Sequence, residues 1–186
     1  MTERELIQKA QNGESEAFGE LYDQYVNRIY RFVFIKVASR PNAEDLTHQI
    51  FLAAWQNIQN FQFQGFPFSS WLYKIAANTV IDFYRTRKQE ESIEFIAEDA
   101  LSEFPEFAKK IDEAAEIKTV KNALQKLEPD QQTVLIMKFV DEFSNKEIAE
   151  ILGKSEGAVR VTQHRALKRL KNFLQNNNEP RLDSKT

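Results

Sequence analysis

The sequence predicts an all-α fold: two small helical domains joined by an acidic linker, the second of them a helix-turn-helix domain. Three observations lead there. Apolar residues recur at three- and four-residue spacing along most of the chain, no window alternates apolar and polar residues as a half-buried strand does, and Gly and Pro number only five each. The 186 residues accommodate two domains near the lower end of the usual range of about 50 to 200 residues.

The first helix is read from Phe18, Leu21, Tyr22, Tyr25, Ile29, Phe32 and Val33, one apolar stripe that ends near Ser39-Arg40-Pro41. Pro41 and Asn42, with Asp45 three residues on, mark the start of a second helix whose Leu46, Ile50, Ala53, Ala54 and Ile58 repeat at the same spacing to about Phe61. Gly65 and Pro67 then break the chain in an aromatic loop, and Ser69 is a candidate cap for a third helix running to about Lys88. On that helix Leu72, Ile75, Ala76, Thr79 and Phe83 share one face. Lys74, Asn78, Ile81, Arg85 and Lys88 share the other, which makes the exposed face basic. These residues, 1–88, form the first domain. Residues 89–116 hold ten acidic side chains against few basic ones and no sustained periodicity, the pattern of a linker. A second domain, 117–175, comes next, with one helix through Ile117, Val120, Leu124 and Leu127 and another opening at Pro129-Asp130 with Val134, Leu135, Met137 and Phe139. Residues 176–186, with three consecutive Asn and little to bury, read as a flexible tail.

Composition narrows the function. Apolar residues make up 42% and charged residues 28%, as in globular proteins, and no apolar run approaches the roughly 20 residues of a membrane span. The start of the chain lacks the form of a signal peptide, so a cytoplasmic location without membrane insertion is expected. Cys is absent and His48 and His164 are the only imidazoles, which leaves no thiolate site, no Cys nucleophile and no convincing metal site. No Gly-rich phosphate loop or paired-carboxylate motif points to an enzyme, so neither catalytic residues nor a cofactor are expected. The net charge of −3 conceals an uneven distribution, because the acidic linker leaves both flanking domains basic.

Two constellations carry function. Ser144 and Glu147 have capping-box spacing, Ala149 is small where a second helix would cross, Gly153 suits a tight turn, and Ser155 can cap the next helix. That is a helix-turn-helix. In its second helix Val159, Ala166, Leu167, Leu170, Phe173 and Leu174 occupy one arc, and Arg160, Val161, His164, Arg165, Lys168 and Lys171 the opposite one. Such a helix can enter a major groove, Arg pairing with guanine, Val161 meeting a thymine methyl and Lys neutralising phosphates. The second constellation is aromatic. Phe61, Phe63, Phe66, Phe68, Trp71 and Tyr73 cluster beside Lys74, Asn78 and Arg85, a π surface next to positive charge, as single-stranded nucleic acid requires. Phe61, Trp71 and Phe83 are expected mainly in the core, Phe66 and Phe68 at the surface.

A family resemblance rests on these same segments. The run from Ala43 to Trp55, then Trp71-Leu72-Tyr73-Lys74-Ile75-Ala76-Ala77-Asn78 and Asp82-Phe83-Tyr84-Arg85, resembles region two of extracytoplasmic-function (ECF) sigma factors of bacterial RNA polymerase. Leu127-Glu128-Pro129 and the stretch from Glu147-Ile148-Ala149 to Arg165-Ala166 resemble region four. The resemblance covers nearly the whole chain. It implies that Asp45, His48 and Gln49 face the clamp of core polymerase, and that Phe63, Phe66, Phe68, Lys74, Asn78 and Arg85 open and read the minus-ten element as single strand. It also implies that Glu156, Arg160, Val161, His164, Arg165 and Lys168 read the minus-thirty-five element as duplex. Further implied partners are core RNA polymerase, promoter DNA and an anti-sigma protein, with association to the nucleoid once in the holoenzyme. The chain departs from the family where His48-Gln49 replaces the common Gln-Glu, in the aromatic Phe66-Pro67-Phe68, and at Thr162, where a second basic residue is usual. The alternative function is a ligand- or phosphorylation-controlled regulator, dimerising through its first helices and binding duplex DNA alone.

Overall fold

The computed structural model describes residues 1–63, 65–90, 120 and 122–178, and among them every regular element is helical. The linker lies almost wholly outside the described residues, as does the tail from 179 onward. Before the first expected helix stands α1 (Glu3–Gln11), closed at its start by a full capping box between Thr2 and Glu5 and burying Leu6, Ile7 and Ala10. α2 (Ser15–Val37) ends at Ala38, a non-glycine residue in the left-handed region whose N–H donates to the Phe34 carbonyl. α3 (Arg40–Asn57) has Pro41 in its first turn, and a 3-10 turn over Ile58–Asn60 continues it. α4 (Phe68–Glu90) begins at Phe68, so Ser69, expected as its cap, lies inside the helix and is buried.

In the second domain a short helical stretch over 122–125 leads to α5 (Pro129–Phe139), α6 (Asn145–Leu152) and α7 (Glu156–Asn178). The capping box of Ser144 and Glu147 forms, Gly153 takes φ +62°, and the Ser155 hydroxyl accepts from the Ala158 N–H at 3.1 Å. α7 stays helical through Asn178, past the residue where the tail was expected to begin. Two other expectations fail for reasons of geometry. Phe139, the last residue of α5, is 52% exposed, and Leu167 is 40% exposed because it stands roughly 80° around α7 from buried Val159.

The first domain packs α1 on α2, α2 on α3, and α4 against both α2 and α3. Its core does not stop at the domain edge. Val134, Ile136, Met137, Phe143, Ile148 and Ile151 of the second domain belong to the same apolar cluster as Phe32, Leu72, Tyr73 and Val80 of the first. A separate small cluster of Leu124, Leu127, Leu135 and Ala166 holds 122–127, α5 and α7 together. This is why α4 buries Tyr73, Ala77 and Val80 besides its expected face: α6 packs on that second side.

The seam between the domains is also polar. Arg31 Nη2 donates to Asp141 Oδ1 at 3.0 Å, Arg28 donates to the Asp141 carbonyl at 3.3 Å, and the Phe143 ring meets Tyr73 edge-on at 4.7 Å. Glu142, between Asp141 and Phe143, has φ +62°, a left-handed conformation uncommon for a residue with a Cβ, in the turn that carries both residues into the seam. Burial pushes the Asp141 carboxyl up, against the hydrogen bond from Arg31. At the other end Gln125 donates to the Ile35 carbonyl, and buried Lys36 donates to the Pro129 carbonyl at 3.2 Å and to the Thr133 hydroxyl.

Burial lowers the Lys36 ammonium from 10.5 to about 8, with Asp130 opposing the shift. Unfolded Lys36 keeps its proton up to its ordinary pKa, whereas the folded group loses it first, so between those values the unfolded chain binds more protons and stability rises with pH. The protein is therefore expected to gain on its Lys36→Met variant between about pH 8 and 9.5, by at most about 1.4 kcal/mol per pH unit, in urea denaturation at several pH values.

Candidate nucleic-acid interface

The duplex-reading surface rises directly from α7. Val159 and Ala166 are fully buried, and Leu170 and Phe173 partly so, which points the opposite arc outward. Glu156, Arg160, Val161, His164, Arg165 and Lys168 are all exposed, as the sequence predicts, and Val161 is 49% exposed. Arg160 Nη2 donates to Glu156 Oε1 at 2.6 Å, one turn apart on the same helix. That pair holds the guanidinium along the arc at the amino-terminal end, the end a recognition helix inserts first. Glu128 of the segment before α5 pairs with Arg169 at 3.2 Å and ties α7 to the body behind it.

The loop between α3 and α4 is held at its base by α1. The Gln11 side-chain amide donates to the Ile58 carbonyl at 3.0 Å and to the Phe61 carbonyl at 2.8 Å. Phe61, buried as expected, is the hub of the aromatic cluster, with ring centroids 4.9 Å from Phe63, 5.4 Å from Phe68 and 5.3 Å from Trp71. Gly65 takes φ +82°, a value its lack of a Cβ permits, and turns the chain back toward α4. Phe68, expected at the surface, is instead 1% exposed. It is the first residue of α4 and drops between Tyr25, Phe61 and Trp71 to plug the end of the helical bundle. Phe63 is 45% exposed with the Arg4 guanidinium 5.5 Å from its ring centroid, and Phe66 is half-buried.

Behind Phe66 opens a cavity of about 320 Å³, lined by Asn60, Phe61, Gln62, Phe66, Pro67, Ser70, Trp71, Lys74 and Glu150. The Ser70 hydroxyl in that lining is buried with no hydrogen-bond partner, an uncommon state for a buried polar atom. The structure thus brings Phe66 and Lys74 together and puts Phe63 nearby, while Asn78 and Arg85 lie exposed farther along the basic face of α4. Sequence reasoning missed Asn60, Gln62 and Ser70, since polar residues around an aromatic loop carry no spacing signal.

On α3, burial of Ala43, Leu46, Thr47, Ile50, Phe51 and Ala54 turns Asp45, His48 and Gln49 outward. Leu52, at 56% exposure, stands one heptad from Asp45 on the same surface. It too was missed, although its position seven residues on was open to a helical projection.

Residues 21–90 match the family model described as Sigma-70 region 2, and residues 117–170 match Sigma-70, region 4. The RNA polymerase sigma factor YlaC of Bacillus subtilis is 30% identical over 90% of this chain and 98% of its own length. The chain belongs to the sigma-70 family. Its ECF character is carried by two further relatives. The ECF RNA polymerase sigma factor BldN of Streptomyces coelicolor is 35% identical over 91% of this chain, which spans 65% of BldN. SigW of Bacillus subtilis, another ECF RNA polymerase sigma factor, is 29% identical, with 92% of this chain and 96% of SigW covered. Among solved structures CnrH, in complex with the cytosolic domain of CnrY, superposes with a TM-score of 0.72 at 24% identity, over 95% of this chain and 99% of CnrH. RpoE of Bartonella quintana, solved with the anti-sigma factor NepR, gives 0.70 at 23%, over 85% and 96%. Both share the fold. This sigma factor is thus an RNA polymerase sigma factor of the ECF type that recognises promoters, and its relatives are transcription factors rather than enzymes. The dimeric-regulator alternative falls, because the first domain it assigned to dimerisation is the sigma region two. No helix among the described residues is long and apolar enough to cross a membrane.

The burial of Phe68 separates two otherwise similar substitutions. Phe68→Ala is expected to cost about 3 to 5 kcal/mol of stability, and Phe66→Ala, at the cavity rim, about 1 kcal/mol or less, in urea unfolding of the two variants.

Proposed function

We propose that the sigma factor divides promoter recognition between its two domains, with Arg160, Val161, His164, Arg165 and Lys168 of α7 reading the minus-thirty-five duplex and Phe63, Phe66, Lys74, Asn78 and Arg85 guiding the minus-ten single strand. Phe68 supports that second set from the core instead of touching DNA. The observation that carries the reading is the cavity under Phe66: aromatic walls, an unpartnered Ser70 hydroxyl and the Lys74 ammonium suit an unstacked base and the phosphate beside it. The exposed arc of α7 supports the duplex half.

Asp45, His48, Gln49 and Leu52 form the proposed docking surface for core polymerase, with the apolar Leu52 set among polar neighbours as interface centres commonly are. The polymerase supplies the chemistry; the sigma factor binds and separates strands without any covalent step, in the cytoplasm and, with the holoenzyme, at the nucleoid. An anti-sigma protein is a further proposed partner, supported by the anti-sigma complex in which RpoE was solved.

Run-off transcription with bacterial core polymerase on a pool of random promoters tests the reading. Transcripts that share two spaced upstream motifs only when the protein is added are expected, and no added transcripts would overturn it. On the promoter so found, Arg165→Ala is expected to weaken holoenzyme binding by about 1 to 3 kcal/mol when the minus-thirty-five motif is intact, and little once that motif is scrambled. Leu52→Ala should leave folding stability within about 0.5 kcal/mol, as exposed positions do, yet weaken core binding several-fold in a titration against labelled polymerase.

A further inference from the structure

Resting on the assignment of the aromatic loop to the minus-ten strand, we infer that α1 supplies a further nucleic-acid contact: Arg4, held over Phe63, takes the phosphate of the nucleotide next to the pocket on the loop side.

Arg4 stands where local helix energetics disfavour it. It is the second residue of α1, and the first turn of a helix carries the positive end of the dipole, which suits the acidic Glu3 and Glu5 on either side. Neither neighbour compensates it. The Glu3 carboxylate accepts a hydrogen bond from the Tyr25 hydroxyl, and the Glu5 carboxylate accepts the Thr2 N–H at 2.7 Å in the capping box. Among the described residues the Arg4 guanidinium forms no ion pair and no hydrogen bond, and its charge is set against the Phe63 ring, 5.5 Å from the centroid. A cation–π contact draws on the charge of a guanidinium and leaves its N–H donors free to meet an anion.

Position makes that anion a phosphate of the bound strand. Phe61 lines the cavity, and Phe63 packs edge-on against the same ring at 4.9 Å, so Arg4 stands one ring beyond the pocket. Phe63 is 45% exposed, which offers a second base a surface to stack on. On the other side of the pocket Lys74, Asn78 and Arg85 run along α4, with Arg85 about 16 Å from Lys74 along the helix. The cations therefore continue past the aromatic loop onto α1, with the pocket between them.

The placement is rigid. Leu6, Ile7 and Ala10 seat α1 in the core, and the Gln11 amide ties it to the Ile58 and Phe61 carbonyls at the loop root. A flexible basic arm would neutralise any phosphate, whereas a cation fixed against the ring that carries a base selects the phosphate beside that base. Arginine suits the double task, since its planar guanidinium can lie on an aromatic face and donate in parallel to a pair of phosphate oxygens. Lys9, the other cation of α1, points about 140° away around the helix and pairs with Glu14 at 3.4 Å.

The test is equilibrium binding of the holoenzyme to a labelled single-stranded oligonucleotide that carries the minus-ten motif, over a series of salt concentrations. Arg4→Gln is expected to weaken binding about tenfold at low salt and to reduce the slope of log affinity against log salt by about 0.7, the share of one single-strand phosphate contact. Arg4→Lys should restore the slope, since it keeps the charge, and Lys9→Gln should change neither quantity. Arg4→Gln should also unfold in urea as the parent does, because the residue is exposed. Trimming the oligonucleotide one nucleotide at a time locates the contact: the difference between the parent and Arg4→Gln should vanish from one end, and that between the parent and Arg85→Gln from the other. Loss of both from the same end would overturn the assignment. Weaker binding with an unchanged salt slope would also overturn it and leave Arg4 a prop for Phe63, and equal losses in Arg4→Gln and Lys9→Gln would reduce it to general charge. If Arg4→Gln binds as the parent while Phe66→Ala binds weakly, the inference fails and the pocket reading stands. The reverse pattern would sink the pocket and keep the phosphate contact.

Discussion

Helix α4 has to satisfy three surroundings at once, and the arrangement of the molecule results from that constraint. One side packs on α2 and α3, a second receives α6 from the other domain, and the third carries Lys74, Asn78, Ile81 and Arg85 into solvent. A helix with a single buried stripe would need only Leu72, Ala76 and their neighbours to be apolar. The burial of Tyr73, Ala77 and Val80 widens the apolar arc, so the nucleic-acid face is confined to the remaining side. The aromatic cluster at the amino-terminal end of α4 then fixes where the loop leaves the helix, through Phe68 wedged against Phe61 and Trp71.

The seam between the domains mixes apolar plugs with buried charge, and the two do different work. Phe143 on Tyr73 and the shared aliphatic cluster supply burial that is nearly indifferent to register. Arg31 and Asp141 lose about as much by desolvation as they gain by attraction, so their contribution to net stability is small, while a displaced register would strand either charge. The same holds for Lys36, lodged among the Pro129 carbonyl and the Thr133 hydroxyl. A seam of this composition favours one relative placement of the domains.

Much of this was legible in the sequence, in particular wherever a signal is local. The stripe of α2, the proline start of α3, the capping box of α6 and the outward arc of α7 all depend on residues within a few turns of one another, and each forms as read. The illegible part depends on contacts between distant segments. Phe66 and Phe68 are two residues apart and chemically alike, yet one rims a cavity and the other fills a core, because the start of α4 falls between them. Tyr73 stands in sequence beside the loop aromatics, but its environment is set by Phe143, 70 residues away. Helix α1 announces itself by Thr2 and Glu5 and by Leu6, Ile7 and Ala10, a short pattern easily overlooked beside the longer stripe of α2.

That short helix reaches beyond its own packing. The region 2 match begins at residue 21, so α1 stands outside it, yet the Gln11 amide bonds two carbonyls at the root of the aromatic loop. A single side chain donating to two acceptors three residues apart measures the pitch of the turn between them. Any lineage that lengthened or shortened the turn at Ile58–Phe61 would leave that amide with an acceptor out of reach, and any lineage that lost the amide would free the turn to drift. Position 11 and the length of the loop root should therefore vary together across descendants of this sequence, as two halves of one inherited trait.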